Sequence, residues 1–333
     1  MAKCGWKANG GQMFRTPASL LALSAAVLLA QETPVFRENV NLVHILATVR
    51  DRSGQLVGAL NKEDFDVFDN GVPQRISVFD RQTEQPLSVA LLIDVSGSTH
   101  IDLKYETASA SKFLRALLLN GNPKDQAALY TFDDTVQLER NFTHSFQSLD
   151  SALKKIQGSA GTSLYDAIYL SARDLEGRDG RKVLVVVSDG GNTTSKYQMK
   201  DALRAAQLSD AVIYPVVVVP ISNDAGRNIG GENALTFMAQ GTGGRTFLPS
   251  LGAQLDKAFS DIILELRTEY VLGFYPQNVP LTKERFHSLQ VKTHRPELQV
   301  SARNGYYGDA EGDQSTPEAR VSVKPGEATR KKK

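Results

Sequence analysis

The sequence has one cysteine and one tryptophan among its 333 residues, and its formal net charge is only +1. Cys4 precedes the first long apolar run, so the rest of the chain has no thiol for a disulfide, a thiolate zinc site or a cysteine nucleophile. A near-neutral chain lacks the excess of basic residues typical of nucleic-acid-binding proteins, so we expect no nucleic-acid partner. The five histidines show no spacing typical of metal ligands.

Beyond its first thirty residues the chain has no apolar run long enough to anchor it in a membrane. Near the N-terminus, Lys3, Lys7 and Arg15 precede the apolar run 18–30. This arrangement predicts a signal peptide over residues 1–30 and an exported protein that is periplasmic, attached to the cell surface or secreted. The alternative is a buried N-terminal helix.

The most informative stretch of the chain is LSVALLIDVSGS, which begins at Leu87. Val89–Ile93 is a short aliphatic run, which predicts a central strand buried on both faces. Asp94 follows it directly, then Ser96 and Ser98, and the residues from Ile101 to Leu119 have helical spacing. We therefore predict a strand, an oxygen-rich turn and a helix.

Strands and helices alternate from Leu87 onward, which predicts an α/β fold with a doubly wound, mainly parallel sheet covered on both faces. The predicted strands are 127–132, 183–187, 212–219 and an edge strand at 245–247; the predicted helices are 146–156, 164–175, 200–207, 235–240 and 251–266.

Two further oxygen ligands follow from this arrangement. Asp189 comes just after a predicted central strand, as Asp94 does, and Thr162 lies in a glycine-rich loop just before a helix. Ligands of open α/β sheets bind at the carboxyl ends of the strands, so these three segments can meet at one rim of the sheet. Carboxylate and hydroxyl oxygens suit Mg²⁺ or Mn²⁺. The alternative is that the hydroxyls cap helices and the carboxylates accept backbone hydrogen bonds.

At these residues the chain resembles the von Willebrand factor type A domain, also seen as the integrin inserted domain. The metal-ion-dependent adhesion site of that family is built from D-x-S-x-S, a distant threonine and a distant aspartate. The matching residues here are Asp94, Ser96, Ser98, Thr162 and Asp189. The resemblance implies that they bind one divalent ion and that an acidic side chain of a protein partner completes its shell. The sequence departs in one place, since no carboxylate closely follows Gly190, where many relatives have one.

The flanks of this region also have a recognisable pattern. LNKEDFDVFDNGVPQRISVF before it, and YVLGFYP and RPELQVSARNGYYG after it, resemble the bacterial VWFA-related-domain family of exported proteins. We expect strands from both flanks to form one β-sandwich-like module into which the type A domain is inserted. The predicted domains are a signal peptide (1–30), an N-terminal β module (36–85), the type A domain (87–267), strands that complete the β module (268–308) and a disordered basic tail (309–333).

These observations favour a non-enzymatic adhesion or protein-binding function with a divalent cation. An enzyme that uses Asp94 in phosphoryl transfer is an alternative, although position 96, where a second acid would be needed, holds a serine. A metal-free structural scaffold of an envelope assembly is the third possibility. Titration with Mg²⁺ or Mn²⁺ distinguishes the cation-dependent binding function from the metal-free scaffold.

Overall fold

The computed structural model describes residues 42–81, 85–97, 103–158, 160–218, 227–280, 285–308 and 322–323. The predicted signal peptide and Ser98 lie outside these ranges. Among the described residues, every helix is too short or too polar to cross a membrane.

Fourteen strands and six α-helices make up the described part of the chain. The strands are β1 (Val43–Arg50), β2 (Phe65–Asp69), β3 (Val72–Gln74), β4 (Ile76–Arg81), β5 (Leu87–Asp94), β6 (Gln126–Phe132), β7 (Val136–Thr143), β8 (Arg181–Ser188), β9 (Ala211–Val217), β10 (Tyr270–Phe274), β11 (Phe286–Thr293), β12 (Gln299–Ala302), β13 (Gly305–Tyr307) and β14 (Ser322–Val323). The helices are α1 (Leu103–Leu119), α2 (Phe146–Leu153), α3 (Leu164–Glu176), α4 (Met199–Leu208), α5 (Ile229–Thr242) and α6 (Ala253–Thr268).

The largest sheet has six strands in the order β14-β7-β6-β5-β8-β9. Strand β5 pairs in parallel with β6 and β8, and β8 pairs in parallel with β9, whereas β7 runs antiparallel to β6. All eight residues of β5 are buried, as expected for a strand covered on both faces. The predicted doubly wound α/β fold is confirmed.

Helices cover both faces of this sheet. Helices α1, α2 and α6 bury one apolar cluster, in which the rings of Phe113 and Phe259 lie 5.1 Å apart between centroids. Helices α3, α4 and α5 bury a second cluster that includes Ile168 and Met238. Because β5, β6, β8 and β9 are parallel, their carboxyl ends lie at one rim of this doubly covered sheet.

A smaller β module is built from strands on both sides of the α/β domain. It contains two four-stranded sheets, in the orders β12-β1-β10-β4 and β13-β11-β2-β3. The two sheets share an apolar core whose largest members include Tyr270, Phe274 and Ile45. Asn70 and Gly71 both have positive φ in the turn between β2 and β3, which is the turn type that favours Asn-Gly.

Several elements differ from the predicted ones. Strand β7 was not predicted, and α5 begins at Ile229 although the pattern predicted a start at residue 235. The predicted edge strand at 245–247 is a single parallel bridge from Phe247 to Val216. In the tail predicted to be disordered, Ser322–Val323 pair with β7; the other tail residues lie outside the described ranges.

Candidate metal centre

Asp94, at the carboxyl end of β5, is fully buried. One carboxylate oxygen, Oδ1, accepts a hydrogen bond from the backbone N–H of Ser96 at 2.9 Å. The other, Oδ2, accepts one from the hydroxyl of Ser188 at 2.6 Å. The turn after β5 is also attached to the next strand, because the N–H of Val95 donates to the carbonyl of Phe132 at 3.0 Å.

The carboxyl group of Asp94 is held in an environment that disfavours its ionised form. Burial raises its pKa to about 6, hydrogen bonds from Ser188 and Ser96 oppose that rise, and the negative charge of Asp189 adds to it. The ionised forms of Asp94 and Asp189 therefore disfavour each other. A bound divalent cation would favour both ionised forms.

Thr162 and Asp189 face a common space. A Cβ placed on Gly191 would lie 3.0 Å from Oδ1 of Asp189 and 3.7 Å from Oγ1 of Thr162. Because residue 191 is glycine, no side chain fills this space. Asp189 is half-buried, and its Oδ1 accepts a hydrogen bond from the N–H of Gly191 at 2.8 Å.

The backbone of the Thr162 loop is fixed by the segment that follows Asp189. The carbonyl of Thr162 accepts hydrogen bonds from the N–H groups of Thr193 at 2.8 Å and Thr194 at 3.1 Å, and its own N–H donates to the Thr193 hydroxyl at 3.0 Å. Asp166 stabilises the same segment, because its Oδ1 accepts from the N–H groups of Lys196 and Tyr197, each at 2.8 Å. The two loops thus position each other.

Helix α5 closes the site on another side. Gly190 has a φ of +85°, and a Cβ on Gly231, in the first turn of α5, would lie 1.9 Å from the carbonyl oxygen of Gly190. Only glycine permits this approach, so the Asp189 loop and α5 are in direct backbone contact.

The structure brings four of the five predicted ligands to one rim of the sheet: Asp94, Ser96, Thr162 and Asp189. The fifth, Ser98, lies outside the described residues. Within the described ranges there is no group of three or more His, Cys, Asp and Glu side chains that could hold a metal ion. The predicted ligands offer two carboxylates and hydroxyl groups. Such hard oxygen donors with few carboxylates fit Mg²⁺ or Mn²⁺.

The sequence motifs did not point to two supporting residues. Ser188 donates to Asp94 and accepts from the N–H of Gly190 at 3.0 Å, so one hydroxyl connects the Asp94 carboxylate to the backbone that follows Asp189. The backbone carbonyl of Asp133, in the turn after β6, accepts a hydrogen bond from the N–H of Ser163 at 2.6 Å. The position of Ser188 immediately before Asp189 was the only available signal for its role.

Three solved structures illustrate what the chain is similar to. They are BatB from Bacteroides thetaiotaomicron (18% identity, 54% of this chain and 98% of that one, TM-score 0.45), the vWF domain of the type V pili tip protein Mfa5 from Porphyromonas gingivalis (15%, 54% and 94%, 0.44) and the PilB minor pilin from Streptococcus sanguinis (13%, 56% and 62%, 0.43). No curated protein matches the chain.

The family comparison is more specific. Residues 89–192 match the family model of the von Willebrand factor type A domain. That range begins within β5 and ends just after Asp189. It contains strands β6, β7 and β8 of the six-stranded sheet and helices α1, α2 and α3. The chain therefore contains a von Willebrand factor type A domain.

Proposed function

We propose that this type A domain is a metal-dependent protein-binding module. Asp94, Ser96, Ser98, Thr162 and Asp189 would hold one Mg²⁺ or Mn²⁺, directly or through water. The observation that carries the proposal is the space kept open at Gly191 beside Oδ1 of Asp189 and Oγ1 of Thr162. The charge of Asp189 also acts on the buried carboxyl group of Asp94.

The donor set indicates the chemistry of the partner. Two carboxylates and a few hydroxyl groups would not fill the shell of a bound divalent ion, and water would occupy the remaining coordination positions. A carboxylate of a partner protein is the natural replacement for such a water molecule. The partner would therefore present an aspartate or glutamate side chain at this rim.

The geometry supports binding more strongly than phosphoryl transfer. A nucleophilic aspartate needs an accessible oxygen, whereas Asp94 is fully buried and each of its oxygens accepts a hydrogen bond. The residue two positions later is Ser96, which cannot act as a general acid for a leaving group. A non-enzymatic function is therefore our proposal.

We also propose that the protein is exported. The basic residues and the apolar run of residues 1–30 support this, and the proposal predicts a mature chain that begins at Gln31. Intact-mass measurement of the protein recovered outside the cytoplasm tests it; an unprocessed chain retained inside the cell would contradict it.

Relaxation of water protons by protein-bound Mn²⁺ tests the carboxylate proposal. Acetyl-glutamate amide should displace coordinated water and lower the relaxation enhancement, whereas acetyl-glutamine amide should leave it unchanged. Thr162→Ala should weaken the Mn²⁺ signal, and Thr268→Ala, at the far end of α6, is the matched control. Equal responses to the two probes, or no response to either with Mn²⁺ bound, would overturn the proposed partner chemistry.

A further inference from the structure

The six-stranded sheet has two edges, and the fold closes them differently. At β9, the N–H of Val217 donates to the carbonyl of Phe247 and the N–H of Phe247 donates to the carbonyl of Pro215, both at 2.8 Å. Pro215 itself has no N–H to offer a further strand. The β9 edge is thus protected by a proline and by a short bridge from the α/β domain itself.

Strand β7, on the opposite side, has no proline or glycine in its sequence VQLERNFT. Its inner side pairs with β6. Among the described residues, the strand pairing of its outer side is with β14 alone, in parallel, with Ser322 opposite Gln137 and Val323 opposite Leu138. An exposed strand edge of this kind is a template for pairing with another chain, so its protection depends on β14.

The sequence around β14 suits a strand although its surroundings are polar. Residues 320–324 read Arg-Val-Ser-Val-Lys, in which apolar and polar side chains alternate with a period of two. Residues 309–321 connect this segment to the β module, and a chain of that length spans up to about 40 Å when extended. The segment can therefore reach β7 of its own chain at a high effective concentration.

We propose that β7 is a strand-addition edge and that the C-terminal segment centred on Ser322–Val323 occupies it within the same chain. Occupation blocks the pairing of β7 with the β7 edge of a second copy. Main-chain hydrogen bonds supply the affinity in strand addition, and among the described residues the pairing covers only Ser322 and Val323. The segment therefore binds reversibly, and its release exposes a surface that fits another copy of this chain.

Hydrogen–deuterium exchange of the mature full chain tests this proposal. In Ser322→Pro the segment loses a backbone N–H and cannot continue the ladder, so peptides covering residues 136–143 should exchange several-fold faster. Thr329→Pro, six residues beyond β14, is the matched control and should exchange as the wild type does. Unchanged exchange in Ser322→Pro would overturn the proposal.

Light scattering after size-exclusion chromatography tests whether release of the segment exposes β7 to another copy of the chain. Ser322→Pro should self-associate at protein concentrations where the wild type and Thr329→Pro are monomeric. A wild-type dimer that Ser322→Pro converts to monomer would contradict occupation within one chain and would indicate exchange of the segment between two copies. Both variants leave residues 94–189 unchanged, so a failure here is separable from a failure of metal binding.

Discussion

Asp94 is a carboxyl group that the fold removes from water. Its neighbours donate two hydrogen bonds to it, yet burial and the charge of Asp189 still raise its pKa to about 6. The folded protein therefore binds a proton at this position more tightly than the unfolded chain does, whose aspartate has its ordinary pKa near 3.8. The ionised group destabilises the metal-free fold above the folded pKa, and this cost disappears as the pH falls below the unfolded value.

Asp94→Asn should consequently stabilise the metal-free protein near neutral pH. We expect a gain of about 1–3 kcal/mol in the free energy of unfolding at about pH 7.5, and little difference near pH 4, where the wild-type carboxyl is protonated. Urea unfolding in the presence of a chelator measures both values. Asp261→Asn, at a partly exposed carboxylate of α6 that pairs with Lys257, is the control. A loss of stability at neutral pH in Asp94→Asn would contradict this electrostatic account.

Gly191 is the residue whose missing side chain keeps the site open. Gly191→Val would place carbon atoms against Oδ1 of Asp189 and towards Oγ1 of Thr162. We expect Mn²⁺ affinity to fall at least about tenfold, which corresponds to roughly 1.4 kcal/mol, while the protein stays folded. The matched control is Gly177→Val, because a Cβ at Gly177 meets nothing within 4 Å. Equal Mn²⁺ affinity in the two variants would show that the space beside Gly191 is not used.

At the scale of elements, β11, β13 and the end of β2 are joined by a buried polar cluster. Tyr306 donates to Oδ2 of Asp69 at 2.7 Å, and the Nδ1 of His287 lies 3.0 Å from Oδ1 of the same carboxylate. The rings of His287 and Tyr306 stack at 4.6 Å between centroids. Burial and, after it, the hydrogen bond to the Asp69 carboxylate raise the pKa of Tyr306, so its hydroxyl remains a donor.

Tyr306→Phe removes one donor from this cluster and leaves the buried carboxylate of Asp69 with fewer partners. We expect a loss of about 1–3 kcal/mol in the free energy of unfolding, because burial without a hydrogen bond costs that much. Tyr275→Phe, at a half-exposed tyrosine next to β10, should change stability little. Equal stabilities of the two variants in urea unfolding would show that the cluster contributes no net stability.

The aliphatic strands buried on both faces could be predicted from the sequence, whereas the half-buried strand β7 could not. The aliphatic runs of β5, β8 and β9 were located to within one or two residues because nothing polar interrupts them. Strand β7 was missed because Glu139, Arg140 and Asn141 interrupt its apolar residues, and its position depends on tertiary pairing with β6.

In the candidate site, too, some residues could be identified from the sequence and some contacts could not. Asp94, Thr162 and Asp189 could be identified because each follows or precedes a regular element, so the topology places them at one rim. Two hydrogen bonds could not be predicted, the one from Ser188 to Asp94 and the one from the backbone N–H of Lys196 to Asp166. They join positions distant in sequence that no local pattern relates.

At the scale of the whole molecule, buried ion pairs connect the type A domain to the β module. Arg181, at the start of β8, pairs with Glu269, which links α6 to β10, and both side chains are 2% exposed. Glu269 also accepts a hydrogen bond from the hydroxyl of Tyr214 at 2.9 Å. Nearby, Arg50 of β1 lies 2.6 Å from the carboxylate of Glu265 in α6. Residues of both the α/β domain and the β module thus bind the junction between α6 and β10.

Arg181→Met should destabilise the whole protein by about 3–5 kcal/mol, because it leaves the Glu269 charge buried without its cation. The double variant Arg181→Met/Glu269→Met should regain most of that loss, since no uncompensated charge remains. Arg173→Met, which removes an exposed pair with Glu176, should cost less than about 1 kcal/mol. Urea unfolding followed by circular dichroism measures all three variants; a double variant that is as unstable as Arg181→Met, or less stable, would contradict the coupling.

The central claim is that one divalent ion binds at the rim of the sheet that carries Asp94, Thr162 and Asp189. Calorimetric titration of Mn²⁺ and Mg²⁺ into the chelator-treated mature protein tests it most directly, with Asp94→Ala and Thr162→Ala beside Asp261→Ala as the matched control. We predict saturable binding of one ion per chain that Asp94→Ala abolishes, Thr162→Ala weakens and Asp261→Ala leaves unchanged. Binding that survives Asp94→Ala, or no binding of either ion to the wild type, would contradict the claim and favour a metal-free scaffold.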